Sequence, residues 1–285
     1  GALPKTIRPK NSGLPSGGEV VFHQGACSDT MVSDGRYVME ANFDYSKVLL
    51  RACADDEVPL IYASSASVYG SEGPFVESRE NEHPLNAYAY SKTLFDRYAF
   101  GESRPPSPQL VGLRYFNVYG PREDHKGRMA SVAWHLTRQY FESGSVRLFE
   151  GSDGYQAGEQ RRDFIHVDDV VKANLFFLGN PEKSGIFNVG TGKAGSFNDV
   201  ALAVINACRE IDGKPKLLLE EARREELLGY FPMPDALVGK YQSYTEADIS
   251  RLKAAGFSNS SLDVEEGVGR YAKQLYTTLK KGEHS

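Results

Sequence analysis

Tyr88, Tyr90 and Lys92 fall within one short stretch, LNAYAYSKTLF at 85–95, and a phenol beside an ammonium is a means of moving protons. A phenol ordinarily titrates near pH ~10 and is a poor base at neutrality, but a neighbouring cation favours its ionised form. The stretch reads as a helix: Pro84 and Asn86 punctuate its entry, and Leu94, Phe95 and Tyr98 form its apolar side. Residues four apart on a helix share a face, whereas residues two apart do not. Lys92 therefore pairs with Tyr88, and Tyr90 is assigned to packing. Two unit charges about 5 Å apart at an effective dielectric of about 20 attract by roughly 3 kcal/mol, equivalent to about 2 pK units on the phenol. A tyrosine lying on a lysine stem at a helix surface satisfies the same spacing, so the pair needs support from elsewhere in the chain.

That support lies upstream. VPLIYASSASVYG at 58–70 is an apolar, β-branched and aromatic run that ends in small hydroxylated residues and Gly70. It predicts a buried strand followed by a loop. Ser64, Ser65 and Ser67 then stand at or just past the carboxyl end of that strand, where open α/β sheets place their ligands. Serines there also serve ordinary turn chemistry.

The elements around these residues alternate. Strands are predicted at 19–25, 60–63, 110–115, 164–167 and 185–189. Helices are predicted at 37–54, 87–101, 130–143, 168–178, 197–210, 245–255 and 264–275. Strands alternating with helices imply a parallel, doubly wound α/β sheet. The chain of 285 residues fits one large or two small domains, and 40% hydrophobic with 25% charged residues is ordinary globular material. A net charge of −5 argues against a nucleic-acid partner. No apolar run reaches the ~18 residues of a membrane span, and the opening GALPKTIRPKNSGLPSGGE does not resemble a signal peptide. Cys27, Cys53 and Cys208 are far apart with no CxxC, and read as reduced, buried, cytoplasmic cysteines. The six histidines lack metal-ligand spacing.

A strand-end serine followed about twenty residues later by a helix with Tyr and Lys resembles the catalytic set of the extended short-chain dehydrogenases/reductases. Eight segments make the resemblance closer: HQGACSDT (23–30), LIYASSASVYG (60–70), PLNAYAYSKTLFD (84–96), LRYFNVYGPREDHKGRMASVAWH (113–135), LFEGSDGY (148–155), QRRDFIHVDDV (160–170), SGIFNVGTGKAGSFNDVA (184–201) and PDALVGKYQSYTEADISRLKAAGF (234–257). Together, from about residue 19 to 276, they resemble the ADP-L-glycero-D-manno-heptose 6-epimerase family.

The resemblance implies transient oxidation by NADP at C6 of an ADP-heptose, then hydride return to the other face. Tyr88 would be the first acid/base, with Lys92 activating it and holding the nicotinamide ribose. Ser65 would bond the reacting oxygen. Lys126, in GPREDHKGRMA, would be the second acid/base and also border the cofactor. Gly25, Ala26, Cys27, Ser28 and Val118 would face the cofactor. Substrate positions would be Ser67, Asn117, Arg128, His135, Phe149, Glu150, Gly151, Ser152, Arg162 and Tyr241. Arg162 suits a diphosphate because its planar fork makes paired, charge-assisted bonds. Arg128 stands where the family has a serine, and Ala41 where it has an asparagine. The implied partners are the ADP-sugar and further copies of the chain. A Rossmann-like core is expected at 19–118 and 163–194, and a smaller substrate domain at 119–162 and 195–285, with 1–18 irregular.

A dinucleotide fold ordinarily opens on a strand, a Gly-rich turn and a helix. SGLPSGG (12–18) precedes a strand instead of following one. The family has roughly fifty more residues there, about two βα units. The expectation is that either the protein is shortened or the sequence belongs to a longer chain. Two alternatives follow: a hexose 4-epimerase, which shares Ser, Tyr and Lys but does not need Lys126, and a catalytically silent ADP-sugar binder.

Overall fold

The computed structural model describes residues 20–32, 34–71, 73–101, 108–234, 242–258 and 261–282, so the segment 1–18 and Tyr241 lie outside the described residues. In chain order the elements are β1 (Val21–His23), α1 (Gly35–Met39), a π-turn (Glu40–Asp44), α2 (Tyr45–Asp55), β2 (Leu60–Ser65), α3 (Ala87–Ala99), β3 (Leu110–Tyr115) and β4 (Asn117–Tyr119). There follow α4 (Val132–Ser143), β5 (Val146–Phe149), β6 (Arg161–Arg162), β7 (Phe164–His166), α5 (Val167–Leu178), β8 (Gly185–Val189) and β9 (Gly195–Ser196). The remainder are α6 (Phe197–Ile211), α7 (Leu219–Arg224), β10 (Leu228–Phe231), α8 (Ser250–Ala254) and α9 (Val264–Gly282). The chain divides into two compact units, Gly1–Tyr115 with Val171–Val189 and Asp248–Ser258, and Phe116–Val170 with Gly190–Ala247 and Asn259–Ser285.

The first unit carries the predicted parallel sheet, in the order β1-β2-β3-β8. Its central strands are buried, as a sheet covered on both faces requires. Leu50 and Cys53 of α2, Phe95 and Ala99 of α3, Leu60 and Tyr62 of β2, and Leu110 form one apolar cluster. Gly112 makes room for Tyr62: a Cβ there would stand 2.6 Å from the Tyr62 hydroxyl.

In the second unit, α4, α6 and α9 share a core that includes Leu136, Tyr140, Val204, Cys208, Val268 and Tyr271. β5 pairs with β10 and β4 with β7, both in parallel, and β6 pairs antiparallel with β9.

Several boundaries correct the sequence reading. The first strand is confined to Val21–His23, so Gly25–Ser28 lie in the loop beyond it. The helix expected at 37–54 is interrupted by the π-turn, whose Asn42 side chain is drawn inward to polar partners. Only Ser250–Ala254 of the expected 245–255 helix is helical. The backbone before it is held extended: Thr245 N donates to Arg161 O at 3.1 Å, and Ala247 N to the Asp163 carboxylate at 3.0 Å. α9 continues to Gly282, beyond the predicted Leu275. Cys53 and Cys208 are buried thiols, but Cys27 is only half-buried. No helix among the described residues is long and apolar enough to cross a membrane.

Candidate active site

The carboxyl end of β2 and the first half of α3 assemble the reactive group of the first unit. Asn86 caps α3, its side chain accepting from Ala89 N at 2.8 Å, and so fixes where the helix begins. The turn that follows puts Tyr88 and Lys92 on one face, with Lys92 Nζ 5.9 Å from the centre of the Tyr88 ring. Tyr90 points elsewhere and is 50% exposed, which corrects its assignment to packing.

Ser65 ends β2 and caps the turn Ala66–Tyr69. Its Oγ accepts from Ser67 N at 3.2 Å and from Ser67 Oγ at 2.9 Å, which leaves its own proton for another acceptor. Ser65 acts on the Tyr88 hydroxyl in the direction of its ionised form. Ser65, Ser67, Tyr88 and Lys92 are thus brought together.

The electrostatics differ from the sequence expectation. Burial pushes the Tyr88 phenol above its ordinary range; the Ser65 hydrogen bond works in the opposite direction, and Cys27 adds a small upward effect. Lys92 is 5% exposed and its Nζ donates to the Ala63 carbonyl at 2.8 Å. Burial brings Lys92 itself down to about 8, with the Asp96 carboxylate opposing that fall. The reason is desolvation: taking both groups out of water favours their neutral forms.

The loop after β1 is tied to this group by Asn42, which the sequence reading did not single out. Asn42 is 2% exposed, accepts from Cys27 N at 2.8 Å, and donates to Cys27 O and Ser91 Oγ at 3.0 Å each. Ser91 Oγ in turn donates to Tyr88 O at 2.7 Å. A sequence signal existed only in hindsight, as an Asn amid apolar helix positions; π-turns concentrate at functional sites. Gly25, Ala26 and Ser28 are exposed in this loop, and a Cβ on Gly25 would meet nothing within 4 Å. A buried lysine beside a tyrosine, at a strand end fronted by an open backbone loop, is a donor set that fits the nicotinamide-ribose end of a dinucleotide.

The remaining described positions lie in the second unit. Asn117 and Val118 are on β4, where Asn117 N donates to Asp163 O at 3.0 Å. Lys126 and Arg128 lie in the turn Asp124–Met129, and Lys126 Nζ is 3.6 Å from the buried Glu123 carboxylate. Glu123, another residue not anticipated, closes this loop on itself by accepting from Gly120 N at 3.1 Å and Ser131 N at 2.7 Å. His135 and Phe149 line a cavity of about 150 Å³ with Arg147 and Phe231, where the two phenylalanine ring centres are 5.0 Å apart. Glu150 N donates to Phe231 O at 2.9 Å. Gly151 is required by close approach, since a Cβ would stand 2.1 Å from Tyr155 O. Ser152 Oγ accepts from Gln160 Nε2 at 3.2 Å. Arg162 is 6% exposed on β6. Its neighbour Asp163 accepts from Thr191 N, Thr191 Oγ1, Gly192 N and Ala247 N.

Comparison with known proteins agrees with this arrangement. Residues 14–190 match the NAD dependent epimerase/dehydratase family. The chain is 58% identical over 255 residues to ADP-L-glycero-D-manno-heptose-6-epimerase of Thiobacillus denitrificans, covering 90% of this chain and 77% of that protein. Among solved structures, Helicobacter pylori ADP-L-glycero-D-manno-heptose-6-epimerase superposes with a TM-score of 0.70 at 32% identity, over 90% of this chain and 72% of that one. Thermus thermophilus UDP-glucose 4-epimerase in complex with NAD gives 0.69 at 27% identity, over 90% and 77%. With its Rossmann-like parallel sheet, the chain belongs to the NAD dependent epimerase/dehydratase family and groups there with the ADP-L-glycero-D-manno-heptose-6-epimerases.

Proposed function

We propose that this chain is an isomerase that inverts C6 of the heptose in ADP-D-glycero-D-manno-heptose, with NADP as the bound redox partner. The observation that carries the reading is the Ser65–Tyr88–Lys92 group at the end of β2, in a chain 58% identical to a heptose 6-epimerase. The first unit would take the dinucleotide, with Lys92 on its ribose. The second would take the ADP-sugar through Phe149–Ser152, His135 and Arg162.

A nicotinamide dinucleotide supplies reversible hydride acceptance when bound. The chain's own residues handle the proton. The Tyr88 oxygen, in its ionised form and with Ser65 donating to it, takes the C6 hydroxyl proton as hydride leaves that carbon, and so becomes the phenol. Because burial favours the phenol, the ionised form that acts as base has to be supported, by the Ser65 hydroxyl and by the positive charge of Lys92 5.9 Å from the ring. Lys126 would give its own ammonium proton to the C6 oxygen as hydride returns to the opposite face, and Tyr88 and Lys126 would then reset by proton exchange with water. Oxidation and reduction cancel, so epimerisation is net.

The test is to incubate the full chain with NADP and ADP-D-glycero-D-manno-heptose and follow the C6 epimer ratio by NMR. Lys126→Ala should abolish inversion while NADP still binds. Wild-type inversion by Lys126→Ala would refute a two-base site and favour hexose 4-epimerase chemistry.

A further inference from the structure

One helical turn beyond Lys92, Asp96 is 1% exposed and accepts three hydrogen bonds, from Tyr62 Oη at 2.7 Å, Ser64 Oγ at 2.9 Å and Arg114 Nε at 2.9 Å. Arg114, also 1% exposed, bonds Glu82 at 2.5 Å, and Arg97 Nε reaches the same Glu82 carboxylate at 2.8 Å. The fully buried members are therefore one guanidinium and two carboxylates, an excess of one negative charge. Arg97 balances it from a side chain that is 45% exposed.

Stability alone does not explain such a cluster. Buried ion pairs are often matched or exceeded by apolar replacements of similar volume. Its placement does have a consequence. Ser64 immediately precedes Ser65, and Asp96 shares the α3 face that carries Lys92. Gly112, by admitting the Tyr62 ring, lets the phenol reach Asp96 from β2.

We infer that Asp96 is a positioning residue for the reaction: through Ser64 it pins the end of β2 that carries Ser65, and its negative charge keeps the Lys92 ammonium available beside Tyr88. The inference rests on the reading that Tyr88 and Lys92 move the C6 proton. The titratable and charged groups facing this region are His23 from β1, Cys27 from the loop after it, Tyr62 from β2, Arg114 from β3, and Tyr88 with Asp96 from α3 itself. His23, brought down to about 4 by burial and by Lys92, carries no charge near neutrality. Asp96 is the one of these acting on Lys92 in the direction of the charged form.

The experiment is an NMR titration of the full chain labelled with ¹³C at the lysine ε-carbon, the Lys92 signal being the one lost in Lys92→Arg. In the native protein Lys92 should titrate near 8. In Asp96→Asn it should titrate about one pH unit lower, as loss of a carboxylate one turn away requires. The alkaline limb of kcat should move with it while KM changes little. An unmoved Lys92 titration overturns the proposal whatever happens to activity. If Lys92 moves but the kcat limb follows it in neither protein, the active-site reading fails, and the proposal with it.

Asp96→Asn leaves Arg114 buried with one fewer partner, and the variant can fail to fold for that reason. The double variant Asp96→Asn with Arg114→Met removes both charges and should still show a lowered Lys92 titration, by less than Asp96→Asn because the repulsion from Arg114 goes as well. Ser64→Ala keeps every charge and reads the pinning of β2. Loss of this bond to a buried carboxylate should lower kcat about tenfold at constant KM, the weight of one charged hydrogen bond. Wild-type kcat in Ser64→Ala overturns that part.

Discussion

His23 makes acid a sensitive perturbation of this protein. It ends β1 with 7% exposure, and its Nε2 lies 2.7 Å from Ser46 Oγ. Ser46 gives its own proton to the Asn42 carbonyl, so His23 must donate through Nε2. Burial, then Lys92, brings the imidazole from 6.5 down to about 4. The folded value is below the unfolded one, so protonation favours the unfolded chain. The stabilising contribution is complete above about 6.5 and is lost as pH falls towards 4. Linkage gives about 2.5 kcal/mol lost between pH 7 and 4.5, and about 3 kcal/mol once the pH is below both values. His23→Gln supplies a non-titrating group with an amide donor near the Nε2 position. Urea unfolding of the native chain and the variant at matched pH isolates this term, because the carboxylates common to both cancel. The gap between their unfolding free energies should close by about 2.5 kcal/mol as pH falls from 7 to 4.5. Parallel curves would refute the assignment of a buried, neutral His23. Since Ser46 and Asn42 are the next links, the same acid step should loosen the Cys27 loop, read as faster amide exchange at Cys27.

Three further outcomes follow from the geometry. Tyr88→Phe should keep the melting temperature and lower kcat by about 10²–10⁴, the usual weight of one acid/base group; a near-native kcat would remove Tyr88 from the chemistry. Gly112→Ala places a Cβ 2.6 Å from the Tyr62 hydroxyl and should destabilise the fold. Overpacking of this kind costs about 1–3 kcal/mol and is read by calorimetry, an unchanged transition being the contrary result. Phe149→Ala, which removes a ring 5.0 Å from Phe231, should raise KM for the ADP-sugar with little change in kcat, whereas an unchanged KM would take Phe149 out of the binding surface.

Much of the fold was legible because its signals are local and redundant. LIYASS and LVGLRY are largely apolar runs, and each became a central strand, the two paired in parallel. The Tyr88–Lys92 relation was fixed by helix periodicity once Asn86 set the start of α3. β5 and β10 escaped notice: each is four residues long, and neither is identifiable until the other lies beside it. The helix expected at 245–255 failed for a similar reason. Its first half is held extended by Asp163, some eighty residues earlier, and distant hydrogen bonds override local propensity.

The sequence by itself determined the family, the alternation of strands and helices, and the choice of the residues proposed to carry the proton chemistry. These depend on residue types and on spacings within single elements. Only the tertiary structure decided their electrostatic state. Nothing in YAYSK reveals that Tyr88 is pushed upward by burial, that Lys92 is brought to about 8 with its Nζ on the Ala63 carbonyl, or that Asp96 opposes that fall. Proton affinity inside a protein depends on how much water is excluded and which charges remain near, and both are set by segments far apart in the chain. Tyr62, Ser64, Asp96 and Arg114 come from two strands and a helix. Their meeting is a property of the packed sheet.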